Sequence, residues 1–187
     1  MAYGLFQVVV KSPSQILTKP FESHIWIRPE GRGTFIESPI VKNFVEASVG
    51  EGQTSFAIDL EACAGMDSTF MGMIAGLGME FQKNGKASLV VVGASEKNLA
   101  SLQELGLHHI VDINPNKGSW VGRMEEARSH LTKIEIEDET DKEGHILKCH
   151  EDLCVADDSN LNRFRTVLDM LGSDMVIPAE DKPDQVQ

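Results

Sequence analysis

Two short apolar segments, each followed by a helical pattern, limit the possible folds of this chain more than any other feature. They are residues 56–60 and 87–92, and the second is almost entirely apolar, as is typical of a strand buried on both faces of a sheet. Helical patterns follow them from Asp67 onward and over residues 96–105, where Gly106 ends the second helix. Strands that alternate with helices at this spacing predict an α/β sandwich with a mixed, mostly parallel sheet flanked by helices.

Other elements are predicted from weaker signals. Ser38 and Pro39 predict the start of a helix, with Ser38 as its cap and the proline in its first turn. Further strands are predicted at residues 5–10, 23–28 and 109–113, and the prolines within residues 12–14 and 19–20 indicate a connection between the first two.

Functional loops are expected at one edge of this sheet. In open sheets of this type they gather at the carboxyl ends of the parallel strands, which here are residues 61–67 and 93–95. Residues 31–34, a loop with two glycines, are a candidate neighbour whose position the sequence alone does not determine.

The chain changes character after Asn114. We expect three parts: a domain at residues 1–113, an extension at 114–172 and a flexible tail at 173–187. The extension begins with a turn-rich linker. Residues 123–133 have a helical pattern, whereas residues 134–136 alternate like a strand, and residues 137–143 are predicted to form an acidic loop. Apolar residues over 151–171 have helical spacing that fits one helix or two helices broken near 157–159.

The helix that begins near Ser68 has two contrasting faces. One is an apolar stripe formed by Phe70, Ile74, Leu77 and Phe81, which predicts a core-facing surface. The opposite face carries small, uncharged residues and Met79 where water would favour charge: Ser68, Gly72, Ala75, Gly76 and Met79. Because each helical glycine costs about 1 kcal/mol relative to alanine, another surface must approach closely. That surface is either a partner protein, with Ser68 at its edge, or another part of this chain.

The start of the same helix is the strongest candidate for a functional site. A hydroxyl on the first turn lies beside free backbone N–H groups and the positive end of the helix dipole. Two interpretations remain open for Asp67 and Ser68: a simple N-cap, or a hydroxyl that carries a group stabilised by the helix terminus.

Composition excludes several classes of protein. The 187 residues carry a formal net charge of −12, which argues against nucleic-acid binding through a basic patch. No apolar run reaches the length of a membrane span, and the N-terminus lacks a basic region followed by an apolar stretch, so we expect neither a membrane span nor a signal peptide. Three cysteines without disulfide spacing favour a reducing cytoplasm.

No enzyme or cofactor pattern is present. Cys149, His150 and Cys154 do not complete a usual zinc set, so we expect no metal, no cofactor and no catalytic residues. Asp59 is either a buried hydrogen-bonding group or part of the Ser68 site. Arg32 either pairs with a partner's carboxylate or phosphate or meets solvent.

Taken in order, these features resemble the STAS domain of bacterial anti-sigma-factor antagonists. The likeness rests on the strand-loop-Asp-Ser-Thr-helix unit, the preceding Gly-Arg-Gly-Thr loop and the apolar strand that ends in Gly93. It covers residues 5–113 and is best over 56–77. Members carry an Asp-Ser-Ser or Asp-Ser-Thr step whose serine accepts phosphate, and Ser68 stands at that position.

The resemblance implies a partner switch. The unphosphorylated form is expected to bind an anti-sigma factor that is also a serine kinase. Phosphorylation of Ser68 breaks that complex, and a metal-dependent serine phosphatase restores it. Expected partner-binding residues are Gly31, Arg32, Gly33, Thr34, Asp67, Thr69, Gly72, Ala75, Gly76, Met79, Gly93 and Ser95.

Two points stay open within the resemblance. Some STAS proteins are scaffolds or transport-associated subunits without phosphorylation, and the Asp-Ser-Thr step does not exclude them. The extension after Asn114 lies outside the family pattern, so it is expected to bind a second partner, form a homodimer contact or cover apolar surface of the domain.

Overall fold

A mixed sheet forms the centre of the computed structural model, which describes residues 14–135 and 141–175. The predicted strand at residues 5–10 lies outside these ranges. The elements are β1 (Gln15–Phe21), β2 (His24–Gly33), α1 (Ser38–Gly50), β3 (Ser55–Asp59), β4 (Cys63–Met66), α2 (Ser68–Asn84), β5 (Ser88–Val92), α3 (Glu96–Glu104), a 3-10 turn (Leu107–His109), β6 (Asp112–Ile113), α4 (Met124–Arg128), β7 (Thr132–Lys133), α5 (Lys142–Ala156) and α6 (Asn160–Leu171).

The strand order confirms the predicted fold class. It is β6-β5-β3-β2-β1-β7, and β4 pairs with the far end of β2. The pairs among β2, β3, β5 and β6 are parallel, as is β2 with β4, whereas β1 runs antiparallel to both of its neighbours. The result is a mixed, mostly parallel sheet flanked by helices, the α/β sandwich that the sequence predicts.

The central strands are buried on both faces, which explains their continuous apolar sequence. On β2, Ile25 and Ile27 belong to the core that includes residues of α1, α2 and α3, while Trp26 between them faces the other side. Successive strand residues point to opposite faces, so alternate apolar residues of β2 belong to the two different clusters. Trp120 and Ala127 cover the Trp26 side.

Residues after Asn114 therefore contribute to the sheet. Residues Leu17 and Thr18 of β1 pair with β7, and Ile134 N donates to Ile16 O at 2.9 Å. The helix predicted over residues 123–133 is limited to α4, because β7 takes up the end of that segment. No helix within the described ranges is long and apolar enough to cross a bilayer.

Several predictions about these elements were wrong. The proposed connection around Lys19 and Pro20 is the strand β1; Pro20 lies beyond the residues that pair with β7, where a missing N–H costs less. Part of the strand predicted at residues 109–113 is the 3-10 turn, which buries Leu107 completely. Helix α1 begins at Ser38 as predicted, but the Ser38 hydroxyl does not cap it, and the cap position is Glu37.

The C-terminal extension forms a helical hairpin. Helices α5 and α6 are separated at Asp157 and Ser159, where the sequence predicts a break. Helix α5 begins at Lys142, earlier than the helical spacing suggested, and Asp141 caps it by accepting from Gly144 N at 3.2 Å. The predicted acidic loop lies mostly outside the described residues.

Candidate functional site

Asp67, rather than Ser68, caps helix α2. Its Oδ1 accepts from Phe70 N at 2.9 Å, and its Oδ2 accepts from Phe35 N at 2.8 Å. Asp67 N donates to Gly33 O at 3.0 Å, which ties the helix start to the end of β2. Ser68 is the first helical residue, so its hydroxyl is not used for capping and points to another partner.

Residues 31–34 lie directly beside this cap, but the prediction that they form a loop was wrong, because β2 continues to Gly33. Gly31 and Arg32 belong to the end of β2 that pairs with β4. A side chain at Gly33 would come within 2.7 Å of the Phe70 ring, so the glycine permits close packing of strand against helix. Arg32 is exposed, and Thr34 N donates to Glu37 at 3.0 Å.

The Ser68 hydroxyl contacts a histidine of the C-terminal hairpin. Its Oγ lies 2.9 Å from His150 Nε2, and His150 Nδ1 lies 2.8 Å from the carbonyl oxygen of Ile146. A carbonyl only accepts, so Nδ1 carries the proton, and in the neutral ring Nε2 accepts from Ser68. His150 is 4% exposed and packs edge-on against Phe164.

A second histidine of α5 makes the same kind of contact with α1. His145 Nε2 lies 2.8 Å from Ser38 Oγ, and His145 is 7% exposed. Ser38 and Ser68 are the first residues of α1 and α2. Helix α5 therefore bridges the N-terminal ends of two helices through two serine–histidine hydrogen bonds.

The small-residue face of α2 is covered by α5. A methyl group at Gly72 would overlap the backbone carbonyl oxygen of Cys149, and one at Gly76 would overlap a carboxylate oxygen of Asp152. Ala75 and Thr69 are buried, and Met79 lines a cavity of about 400 Å³ between α1, α2 and α5. Of the two interpretations of this face, close packing within the chain is the one that the structure shows.

Because α5 covers this face of α2, part of the expected partner-binding site is inaccessible. Gly72, Ala75 and Gly76 are not available to a partner while α5 is docked, so partner binding there stays a proposal that requires α5 to move. The expectation that the extension covers apolar surface is met, because Cys149 and Leu153 belong to the main core and Phe164 packs against it.

The residues of α5 that contact the site were not predicted from the sequence. His145, Cys149 and Leu153 recur at the i, i+4, i+8 spacing of one helix face, which was the available signal. The Cys149–Cys154 segment lies on a helix, as expected, but more deeply than a half-buried face: the side chains of Cys149, His150 and Cys154 are all buried.

Asp59 is a buried hydrogen-bonding group. Its carboxylate accepts from Arg128 at 2.7 and 2.9 Å, from Arg28 at 2.9 Å and from Trp26 Nε1 at 3.2 Å. Burial raises the pKa of Asp59, but hydrogen bonds and charge from Arg128 and Arg28 outweigh it, so the pKa lies below its ordinary value. This network fastens α4 to the end of β3.

Gly93 and Ser95 have local structural roles. Gly93 has φ +65°, and a side chain there would come within 2.6 Å of Asp59 Oδ1, so the position requires glycine. Ser95 caps α3 by accepting from Asn98 N at 3.2 Å. Their proposed role in partner binding stays a prediction.

The two glycines of α2 allow a matched test of this packing. We expect Gly72→Ala to lower the free energy of unfolding by about 1–3 kcal/mol, because the new methyl meets backbone that cannot rotate away. Gly76→Ala meets only the flexible Asp152 side chain and gains about 1 kcal/mol of helix propensity, so it is expected to be neutral or stabilising. Urea denaturation of both variants measures the difference. Equal effects would show that α5 does not pack on Gly72.

Comparisons with known proteins return structural likenesses. No family model and no curated protein matches the chain. A Thermotoga maritima protein assigned as an anti-sigma factor antagonist is 20% identical, with 59% of this chain and 92% of that one covered and a TM-score of 0.49. The Bacillus antagonist SpoIIAA in its unphosphorylated form is 14% identical, with 63% and 99% covered and a TM-score of 0.46.

A third structure, an anti-sigma factor antagonist from Mycobacterium paratuberculosis, is 15% identical, with 63% and 96% covered and a TM-score of 0.47. These likenesses concern the fold. The sheet order and flanking helices described above are those of the mixed, mostly parallel α/β sandwich predicted from the sequence.

Proposed function

We propose that this chain is an anti-sigma-factor antagonist that acts as a phosphorylation-controlled partner switch. In its unphosphorylated form it binds an anti-sigma factor that is also a serine kinase, and phosphate on Ser68 breaks the complex. A serine phosphatase restores the binding form, and the cycle takes place in the cytoplasm. The chain itself has no catalytic role in this proposal.

The observation that carries the proposal is that Asp67 caps α2 and Ser68 does not. Asp67 satisfies the helix terminus with its own carboxylate, so Ser68 is left on the first turn with a hydroxyl that capping does not need. Helix N-termini stabilise phosphate through free backbone N–H groups and the helix dipole. Phosphorylation at this position is therefore compatible with an intact domain.

An exposed apolar pair beside the site supports a protein partner. Phe35 and Ile36 are 42% and 55% exposed, and the backbone N–H of Phe35 donates a hydrogen bond to the Asp67 carboxylate. Large apolar side chains at the rim of a candidate site favour a protein interface. Phe35 and Ile36 are therefore exposed to a partner while α5 is docked, and Arg32 near the end of β2 is exposed as well. Contacts with Gly72, Ala75 and Gly76 follow only when α5 is displaced, whereas Met79 is partly exposed at the cavity between α1, α2 and α5.

One observation favours a second candidate, a STAS scaffold or transport-associated subunit that is not phosphorylated. The Ser68 hydroxyl is already hydrogen-bonded to buried His150, and the helix face behind it is covered. In a scaffold this pair would simply fix the hairpin.

Phosphosite mapping separates the two candidates. The protein is incubated with ATP and each ATP-binding kinase encoded beside its gene, using wild type, Ser68→Ala and Thr69→Ala. We expect phosphate on Ser68 in wild type and in Thr69→Ala, and none in Ser68→Ala, because Thr69 is buried and Ser68 is only half-buried. Phosphate confined to Thr69 or to the C-terminal extension would contradict the assignment, and no phosphate with any kinase favours the scaffold.

A further inference from the structure

We propose that the α5–α6 hairpin is a built-in partner of the α2 face, docked only when Ser68 is unphosphorylated and released by phosphate on Ser68. The inference rests on the proposed phosphorylation of Ser68 and adds to it a second binding event on the same surface, within the chain. The surface is the small-residue face of α2, and its occupant is the face of α5 that carries His145, Cys149, His150 and Leu153.

The first step of the argument is the fit between the two helices. The backbone of Cys149 lies so close to Gly72 that no side chain fits between them. Gly72 lowers the helix propensity of α2, but the absence of a side chain there is what allows α5 to dock. A docked hairpin is therefore a specific state that the sequence of α2 supports.

The second step is the position of Ser68 within that contact. Ser68 Oγ and His150 Nε2 are already at hydrogen-bond distance, so a phosphoryl group cannot be inserted between them without moving one element. His150 cannot retreat, because its ring is buried with Nδ1 bonded to Ile146 and Phe164 against it. A phosphate is also drawn toward the N–H groups of its own helix. The element that moves is α5.

The third step is charge. A phosphate adds about −1.5 to −2 charges. Asp67, the residue before Ser68, already carries a negative carboxylate that repels this charge. Enclosing this charge under the docked face of α5 is costly unless a cation meets it. In solvent the same phosphate is well hydrated, so release of the hairpin avoids the penalty.

The far end of the hairpin is held by contacts that do not involve Ser68. Asn160 Nδ2 donates to Leu105 O at 3.1 Å and to Leu153 O at 2.8 Å, and Arg163 pairs with Glu104 at 2.7 Å. Release is therefore expected to begin at α5, with α6 less affected. The sheet and α1–α3 retain their own core.

The chain contains its own reporters for this release. Cys149 and Cys154 lie on α5 and are 3% and 1% exposed, while Cys63 lies on β4 and is 5% exposed. Burial raises the pKa of Cys149 to about 12 and that of Cys154 to about 11, so both docked thiols are protonated and unreactive. Undocking exposes the α5 thiols and leaves Cys63 in place.

The experiment installs phosphoserine at position 68 by genetic code expansion, so it does not depend on a kinase. Full-length wild type, the phosphoserine form and Ser68→Ala are alkylated with N-ethylmaleimide, and each cysteine peptide is quantified by mass spectrometry over time. We expect labelling of Cys149 and Cys154 to rise at least about tenfold in the phosphoserine form, equivalent to docking weakened by about 1.4 kcal/mol or more. Cys63 should stay slow in all three, and Ser68→Ala should resemble wild type.

Each other outcome overturns the inference. Unchanged Cys149 and Cys154 would show that the phosphate fits under a docked hairpin, and a rise at all three cysteines would show that phosphate unfolds the domain. The proposed function fails separately, if no kinase phosphorylates Ser68 or if the phosphate leaves partner affinity unchanged.

Discussion

Replacement of Asp59 by alanine is expected to lower the free energy of unfolding by about 3–5 kcal/mol, the cost of removing one member of a buried ion pair. Asp59 is fully buried, and Arg28 and Arg128 direct three hydrogen bonds at it. Without the carboxylate, two largely covered guanidinium groups lose their fully buried partner and keep the more exposed carboxylate of Glu61, and α4 loses its main attachment to β3. Urea denaturation at neutral pH measures the change.

Glu126→Ala is the matched control for this prediction. Glu126 also pairs with an arginine, Arg123, but the two side chains are 57% and 44% exposed. Exposed pairs contribute at most about 1 kcal/mol, so the control should differ little from wild type. An Asp59→Ala loss no larger than the control's would show that the cluster is not a buried network.

The same carboxylate predicts how stability depends on pH. Because the folded-state pKa of Asp59 is lowered, the native state holds this proton less tightly than the unfolded state does. Its contribution is therefore complete above the unfolded-state pKa of about 3.9 and is lost as the pH falls through the lower folded-state value. Wild type should lose stability steeply below this pH, and Asp59→Ala should lose less over the same interval.

Phosphorylation of Ser68 is expected to weaken partner affinity by roughly two to three orders of magnitude, or about 3–4 kcal/mol. The reason is the burial of about −1.5 to −2 charges beside Asp67 in a contact surface that is otherwise small and uncharged. Isothermal titration calorimetry with the purified partner compares wild type with the phosphoserine-68 form.

A remote phosphate controls for net charge. Ser119 is exposed and lies next to Trp120 on the opposite side of the sheet from α2. Phosphoserine there adds the same charge but is screened by salt, so partner affinity should change little. Equal losses from both positions would indicate a long-range effect of net charge and would contradict a local switch at Ser68.

The docked hairpin also affects the measured affinity. If the partner needs the face that α5 covers, its apparent dissociation constant for the unphosphorylated form equals the intrinsic constant divided by the fraction of molecules in which α5 is undocked. Release of α5 by phosphate then offsets part of the affinity that the charge removes. Contacts that are open in the docked state, Phe35 and Ile36, then provide the first encounter.

Patterns within one element were predictable from the sequence. The apolar stripe of α2 and the apolar strands β3 and β5 follow from periodicity, which depends on residues a few positions apart. The Asp-Ser-Thr step likewise placed the helix start, and Asp67 caps it within three residues. The break between α5 and α6 is local in the same sense.

Strands that form only by pairing with residues far away in the sequence were not predictable. Strand β1 contains a proline and reads locally as a connection, yet β2 and β7 pair with it. Strand β4 has only four residues and exists because the end of β2 offers a neighbour. Neither has enough local preference to be recognised without its partner.

The sequence by itself determined that α2 has a costly, small-residue face that some other surface must cover, because helix propensity and periodicity are local properties. Only the tertiary structure decided which surface covers it. Ser68 and His150 are 82 positions apart, and so distant a contact depends on how the whole hairpin packs across α1, α2 and α3. Local sequence rules describe each helix separately. Whether a partner protein or the chain's own α5 covers the face of α2 depends on the packing free energy summed over all of these helices.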